Sequence, residues 1–517
     1  MLSGNKNRTP EKDKSMKKNI PILFLCLSVF SAAAVEAKDL RADPAQRNYQ
    51  TTRQFYNELI TSNPQLAELN MLMTMLPKGG DIHHHYTGAL YAETYLDWVD
   101  KQGFCVYRAD DTANHHEKYR IDSSKPGAID KDCLKADAIR DDTAFYRELL
   151  MRWSDKDFGN HFHEQSPPDQ QFFDTFGFFS PATSYSAKVG LLILKQQAKA
   201  DNLQYLETML KGAPSVDNPE LAANINNLPL NADDTAIQPA LKSYADFLEH
   251  DPTEQQKVAD YKSSLAAYAA GLDDADFTLR FQSYVSRNNP PGQVFAGLYS
   301  AFAAAHDSKL IVGVNIVGPE NGVVAMRDYN LHMQMFRFLK RRFPDVHLSM
   351  HAGELALGMV PPDGLRDHIR NAVDIAGAER IGHGIDVTYE SNPDQLLEDM
   401  KARHVAVEVC LSSNAFILGV EEQAHPVTVY LRHKVPFVIA TDDAGVSRSN
   451  ISAEYLLFVS RYKPSYDTLK QVVYNSIRYA FLSSEEKKLQ FKQLDRRFAQ
   501  FEAAAAKLSA GTSHPTR

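Results

Sequence analysis

Eight strand candidates, most of them short, nearly continuous apolar runs, separated by stretches with helical periodicity, constrain the fold of this chain more than any other feature of its sequence. The first is carried by Asp81-Ile82-His83-His84-His85. The others cover residues 203–210, 277–285, 310–317, 346–350, 380–382, 405–410 and 436–440. Continuous rather than alternating apolar character is what parallel strands buried on both faces require. The intervals read as helices. After Asp363-Gly364, apolar Leu365, Ile369, Ala372, Val373 and Ala376 recur on one face, with Gly377 as a stop. Near the end, Ser483 and Glu486 have capping-box spacing, and Phe491, Leu494, Phe498 and Phe501 form a stripe predicted to cover the barrel exterior. Eight strands with helical intervals predict an α/β fold, a (β/α)8 TIM barrel. No Gly-x-Gly-x-x-Gly turn supports an open doubly wound sheet.

A length of 517 residues suggests about three domains. A barrel of this kind commonly takes about 250 residues or more as one domain, and the chemistry-bearing residues here are spread over most of the chain. The expected organisation is therefore a signal peptide at 1–37, an N-terminal helical extension at 38–75, and a barrel over 76–517 with insertions near 105–133 and 213–256. The second insertion is too long for a bare connection. The formal charge of −9, with no block of Lys or Arg interleaved with aromatics, argues against a nucleic-acid partner and for a small or neutral one.

Lys17-Lys18 precede the apolar run 20–30, and small residues Ser31-Ala32-Ala33-Ala34 follow, the layout of a secretory signal. The run falls short of the roughly 20 residues needed to cross a bilayer. The protein is expected to be secreted or periplasmic, with no membrane contact after the signal is removed. Cys26 leaves with the signal. In an oxidising compartment Cys105 and Cys133, which flank a polar segment, are expected to pair as a disulfide. Cys410 lies in an apolar run and is expected to be buried.

Several runs end in residues able to bind a metal or move a proton. On an extended strand His83 and His85 face one way and His84 the other. With His351 and Asp442 they make a nitrogen-rich set with one carboxylate, suited to zinc with room left for water. Barrel enzymes gather such groups at the C-terminal ends of their strands. Glu354 is either a solvated carboxylate at a helix start or a proton carrier beside the metal. His383, between Gly382 and Gly384, is either a core histidine or a base or orienter for the attacking water. Asp443 either caps a turn or hydrogen-bonds to the attacking water or the substrate ring.

These segments resemble the adenosine deaminase family of metal-dependent hydrolases, in order along most of the chain. The segments are His83-x-His85 followed by Gly88-Ala89, His351-Ala352-Gly353-Glu354, Arg380-Ile381-Gly382-His383-Gly384, Glu408-Val409-Cys410-x-Ser412/Ser413-Asn414, and Thr441-Asp442-Asp443. The resemblance implies one zinc ion per chain held by His83, His85, His351 and Asp442, with Glu354 giving a proton to the purine ring. It implies that His383 and Asp443 handle the attacking water, and that the backbone of Gly318 contacts the purine. Leu76-Pro77-Lys78-Gly79-Gly80, the cysteine-bounded segment and Asn475-Ser476-Ile477-Arg478-Tyr479 are similar to the secreted branch, the adenosine-deaminase-related growth factors, which is extracellular and often dimeric. A homodimer is accordingly among the expectations.

The chain departs from the family at the sugar. Thr87 stands where the cytosolic enzymes have an Asp, Tyr86 stands where the secreted branch has one, and a tryptophan of that branch is absent around Gln170. Tyr86, Thr87, Gly318 and Asp443 are the expected substrate contacts. The implied activity is an exported adenosine or 2′-deoxyadenosine deaminase releasing inosine and ammonia. The alternatives are deamination of another aminopurine or a modified adenosine, hydrolysis of an amide, or a secreted nucleoside-binding signalling protein without turnover.

Overall fold

The eight apolar runs become eight parallel strands, all largely or wholly buried: β1 (Gly79–Asp81), β2 (Leu203–Thr208), β3 (Thr278–Ser286), β4 (Ile311–Val317), β5 (Ser349–Ala352), β6 (Arg380–His383), β7 (Ala406–Val409) and β8 (Phe437–Ile439). They are seen in a computed structural model that describes residues 43–124, 127, 132–157 and 166–512. The predicted signal at 1–37 lies outside the described residues. None of the described helices is long and apolar enough to cross a membrane.

The strands pair in sequence order as two parallel four-stranded sheets, β1-β2-β3-β4 and β5-β6-β7-β8. Two seams close them into one cylinder. At the first, Val314 N–H donates to the His347 carbonyl at 2.9 Å. At the second, Asp442 N–H donates to the His83 carbonyl at 3.0 Å and His85 N–H donates to the Asp442 carbonyl at 3.2 Å. β1 itself stops at Asp81, short of the histidines the sequence assigns to it. The chain beyond it stays extended only far enough to close the second seam, then turns into the short helix Tyr86–Ala89.

The periodic stretch before β6 is less regular than its spacing predicts. It is a 3-10 turn (Pro362–Leu365), one α turn (His368–Asn371) and a π turn (Ala372–Ala376), ended by Gly377 at φ 80°. Its apolar face is nevertheless wholly buried. Residues 213–256 belong to a helical layer rather than a loop. Helices Pro219–Asn226, Asp234–His250 and Pro252–Ala269 cover the barrel helix Pro291–Ala305, which is buried almost all round. Asn218, Asp233 and Asp251 each cap one of the three by accepting first-turn amides, worth about 1 kcal/mol per cap.

The extension contains helices Pro44–Leu59 and Leu66–Met75. The capping box forms, with Ser483 N–H donating to Glu486 Oε2 at 3.0 Å and Glu486 N–H to Ser483 Oγ at 3.3 Å. The helix it starts, Ser484–Thr512, buries Leu494, Phe498 and Phe501 and half-buries Phe491. It packs on helix Tyr466–Arg478, where Tyr474 meets Phe498 and Tyr466 donates to Glu502 Oε1 at 2.9 Å. It also runs along Pro44–Leu59, where Thr52 donates to the Glu502 carbonyl at 3.0 Å. Cys105 and Cys133 are disulfide-bonded and tie a small antiparallel sheet of Cys105–Tyr107, Ile121–Asp122 and Cys133–Leu134. Cys410 is buried as a thiol.

Candidate active site

Side chains from the ends of four strands meet at one mouth of the cylinder. His83 and His85 follow β1, His351 and Glu354 come from β5 and the turn after it, His383 ends β6, and Asp442 and Asp443 follow β8. His85 Nε2 lies 3.2 Å from His351 Nε2 and 3.3 Å from Asp442 Oδ1. His83 Nε2 lies 3.5 Å from the same carboxylate oxygen. Ligand atoms of His83, His351, His383 and Asp442 all fall within 4.8 Å of one another, and a second set joins His85, Asp442 and Asp443. Two fourth ligands are therefore on offer, His85 and His383. His84 points away and bonds to Thr208 at 2.9 Å.

Neighbouring groups decide which nitrogen each ligand presents. His83 Nδ1 is 2.6 Å from Glu408 Oε2, and Glu408 is ion-paired to Arg380 at 2.6 Å and accepts from Ser349 Oγ at 2.9 Å. His351 Nδ1 is 2.9 Å from Asn315 Oδ1, an atom identified as oxygen because it also accepts the Ile316 backbone N–H at 2.8 Å. Both rings thus carry their proton on Nδ1 and aim an Nε2 lone pair inward, and His83 Nε2 is buried without a hydrogen-bond partner. Lone pairs converging with a carboxylate are a donor set for a divalent cation such as zinc, and these residues fit one.

The field of the site points the same way. Burial opposes a charge on His83, but Asp442 and Glu408 outweigh it and push the imidazole up to about 10. The carboxylates thus favour positive charge at that point. Burial likewise opposes ionisation of Glu408, yet Arg380 and His83 hold it below the ordinary carboxylate range. Asp442, although buried, is held well below that range by the imidazoles around it. Burial and the Asp442 charge drive Asp443 well above it. Glu354 is pushed up to about 8 by burial, then by Asp442 and Glu320. Asp442 is thus held toward its anion and Asp443 is shifted toward its protonated form, while Glu354 keeps its proton at neutral pH.

Glu320 positions Glu354. Its oxygens accept the Gly353 N–H at 3.2 Å and the Glu354 N–H at 2.8 Å, and it also bonds to His368 at 2.6 Å and faces Arg287 at 3.5 Å. Arg287 in turn donates to the His351 carbonyl at 2.9 Å. His383 and Asp442 adopt left-handed backbone, at φ 69° and 59°, strain of the sort found where side-chain direction matters more than local stability. Two glycines permit close approach. A Cβ on Gly382 would lie 2.7 Å from the His83 ring, and one on Gly88 only 1.6 Å from Asp443 Oδ1. Gly88→Ala should therefore displace Asp443 and lower kcat by about 10²-fold. A wild-type kcat in that variant would show that Asp443 has no positional role.

The groups open onto a cavity of about 280 Å3 lined by Thr87, Gly318, Tyr284 and Val317 beside His85, His351, Glu354, His383, Asp442 and Asp443. Phe172, Phe173 and Phe176 of helix Pro168–Phe179 form its aromatic wall, in the region where the sequence lacks the tryptophan. Tyr86 is a correction. The turn into Tyr86–Ala89 swings its ring to Gly190 and the Ala187 carbonyl, where it is buried outside the cavity lining. Larger cavities, such as one of 490 Å3 beside Arg152, lie among other residues.

Residues 262–496 match the model of the adenosine deaminase family. The matched stretch holds His351, Glu354, His383, Asp442 and Asp443, while His83 and His85 precede it. An adenosine deaminase of Escherichia coli SMS-3-5 is 33% identical over 190 residues, 36% of this chain and 51% of that protein. The chain spans about half the length of the curated relatives it matches. Two solved structures share the fold. An N6-methyl-AMP deaminase of Arabidopsis thaliana has a TM-score of 0.53 at 16% identity, covering 83% of this chain and 98% of its own. An adenine deaminase of Arthrobacter aurescens has a TM-score of 0.51 at 15% identity, covering 81% and 98%.

Proposed function

We propose that this chain is a hydrolase acting on the C–N bond of a 6-aminopurine, converting adenosine or 2′-deoxyadenosine to the 6-oxopurine and ammonia. The observation that carries the reading is a protonated, buried Glu354 beside a converging His/Asp donor set at one end of a small cavity. His83, His351, Asp442 and a further histidine would hold one zinc ion. When bound, zinc supplies the Lewis acidity that makes water nucleophilic at neutral pH.

Glu354 gives its proton to the ring nitrogen beside the amino-bearing carbon, which makes that carbon electrophilic. Water oxygen then adds to the carbon. Asp443 and His383, facing the same point, hydrogen-bond to the adding oxygen. Cleavage of the C–N bond releases ammonia: one proton of water passes to the leaving nitrogen and the other restores Glu354, whose own proton stays on the ring.

The cavity favours an uncharged substrate. Among the described residues its lining holds no Lys or Arg, and Asp442 contributes negative charge. A phosphate brought into this lining loses hydration with no cationic side chain to pair with, a cost of about 2 kcal/mol, close to thirtyfold in kcat/KM. Thr87 and the phenylalanine wall suit a sugar lacking the 2′-hydroxyl or carrying an apolar 5′ group. Ammonia release from adenosine, deoxyadenosine, adenine and AMP by the zinc-loaded protein tests this. The neutral nucleosides should lead AMP by about thirtyfold or more. Equal turnover of AMP would refute the charge argument, and tight adenosine binding without ammonia would refute the enzyme. The Cys105–Cys133 disulfide supports reading the protein as exported, like the secreted branch it resembles.

A further inference from the structure

Asn414 and His425 lie behind His383, in no contact with the cavity, and both are buried. Their hydrogen bonds form a chain whose direction is set at one end by an unambiguous donor. The backbone N–H of Val427 donates to His425 Nδ1 at 3.1 Å. That nitrogen must therefore carry a lone pair, and burial, helped by the charge of Arg461, keeps the ring neutral. The single ring proton of His425 is then on Nε2, which lies 3.2 Å from Asn414 Oδ1 and donates to it. With its oxygen so committed, Asn414 turns its Nδ2 to His383 Nδ1 at 3.0 Å and donates. His383 Nδ1 is an acceptor, and the proton of that imidazole must sit on Nε2.

This is the opposite tautomer from His83 and His351, whose Nδ1 atoms face oxygen acceptors. His383 Nε2 points into the site, 3.5 Å from Glu354 Oε1 and 4.0 Å from Asp442 Oδ2, and is buried without a hydrogen-bond partner. We propose that Asn414 and His425 are positioning residues that lock His383 as a hydrogen-bond donor at Nε2, so that it serves neither as a metal ligand nor as a base. The fourth ligand is then His85. The adding oxygen meets an N–H already aimed at it, and His383 keeps its proton throughout. The kinetic consequence rests on the deaminase reading, whereas the tautomer does not.

The test uses the full chain loaded with cadmium or zinc and labelled with 15N in its histidines. The cadmium-loaded protein should show metal coupling to Nε2 of His83, His85 and His351 and none to His383, whose Nε2 should be protonated and Nδ1 bare. Coupling to His383, or a bare Nε2 there, overturns the proposal even if the protein turns over no purine. Asn414→Asp replaces the donor with an acceptor and forces the proton to Nδ1. It should keep one metal per chain and lower kcat by about 10²-fold with little change in KM, the usual cost of losing one preorganised donor. His425→Leu should lower kcat in the same way. His425→Gln, whose amide can still donate to Asn414, should recover most of that loss. A wild-type kcat in Asn414→Asp would sink the relay.

Discussion

Replacing Glu354 with Gln is expected to lower kcat by about 10²- to 10⁴-fold, the range associated with losing a positioned proton donor, while metal content stays at one per chain. Gln matches the protonated carboxyl in size and neutrality, so KM should move little. The turn that carries it remains anchored through the Gly353 and Glu354 amides to Glu320. What disappears is a transferable proton. The wild-type pH profile should show the same group. Its carboxyl is pushed up to about 8, and the acid form is the active one, so activity falls as pH rises through that value. Ammonia release across pH, with metal analysis of the same samples, checks both points. A fully active Glu354→Gln protein would require another proton source.

His351→Ala should abolish turnover and weaken metal binding by more than about 10²-fold, since even residues supporting a ligand cost about 10- to 100-fold. The ring offers its Nε2 lone pair only because Asn315 holds the Nδ1 proton, so nothing else in β5 can take its place. Glu408→Gln, which weakens the partner of His83, should fall within that smaller range and retain some activity. Metal content after equilibrium dialysis is the measurement. Unchanged content in His351→Ala would remove His351 from the ligand set.

The strands were legible because a segment buried on both faces is mostly apolar, and β2 through β8 all lie within or overlap runs of that kind. Imidazole and carboxylate groups at their ends stood out against that background. The supporting polar groups did not. Arg287, Asn315, Glu320 and Glu408 sit singly within or just beyond apolar strands, where sequence alone offers no partner for them, and His425 acquires its role from a fold contact with Asn414. Tyr86 was misplaced because its contact was expected from its place after the second histidine in the resemblance, and the backbone turns into a helix at that residue. The helical layer over Pro291–Ala305 was hidden by its polar outer faces. Asn218, Asp233 and Asp251 could have revealed it as capping signals.

The seam joining the first and last strands runs through His83, His85 and Asp442, the residues that would grip the cation. The bonds that close this seam thus also set the backbone positions of the residues proposed to hold the cation. A bound ion would rivet the two ends of the sheet, raising the unfolding free energy by an amount set by its concentration relative to its dissociation constant. Catalytic competence in this molecule doubles as a readout of whether the cylinder has shut.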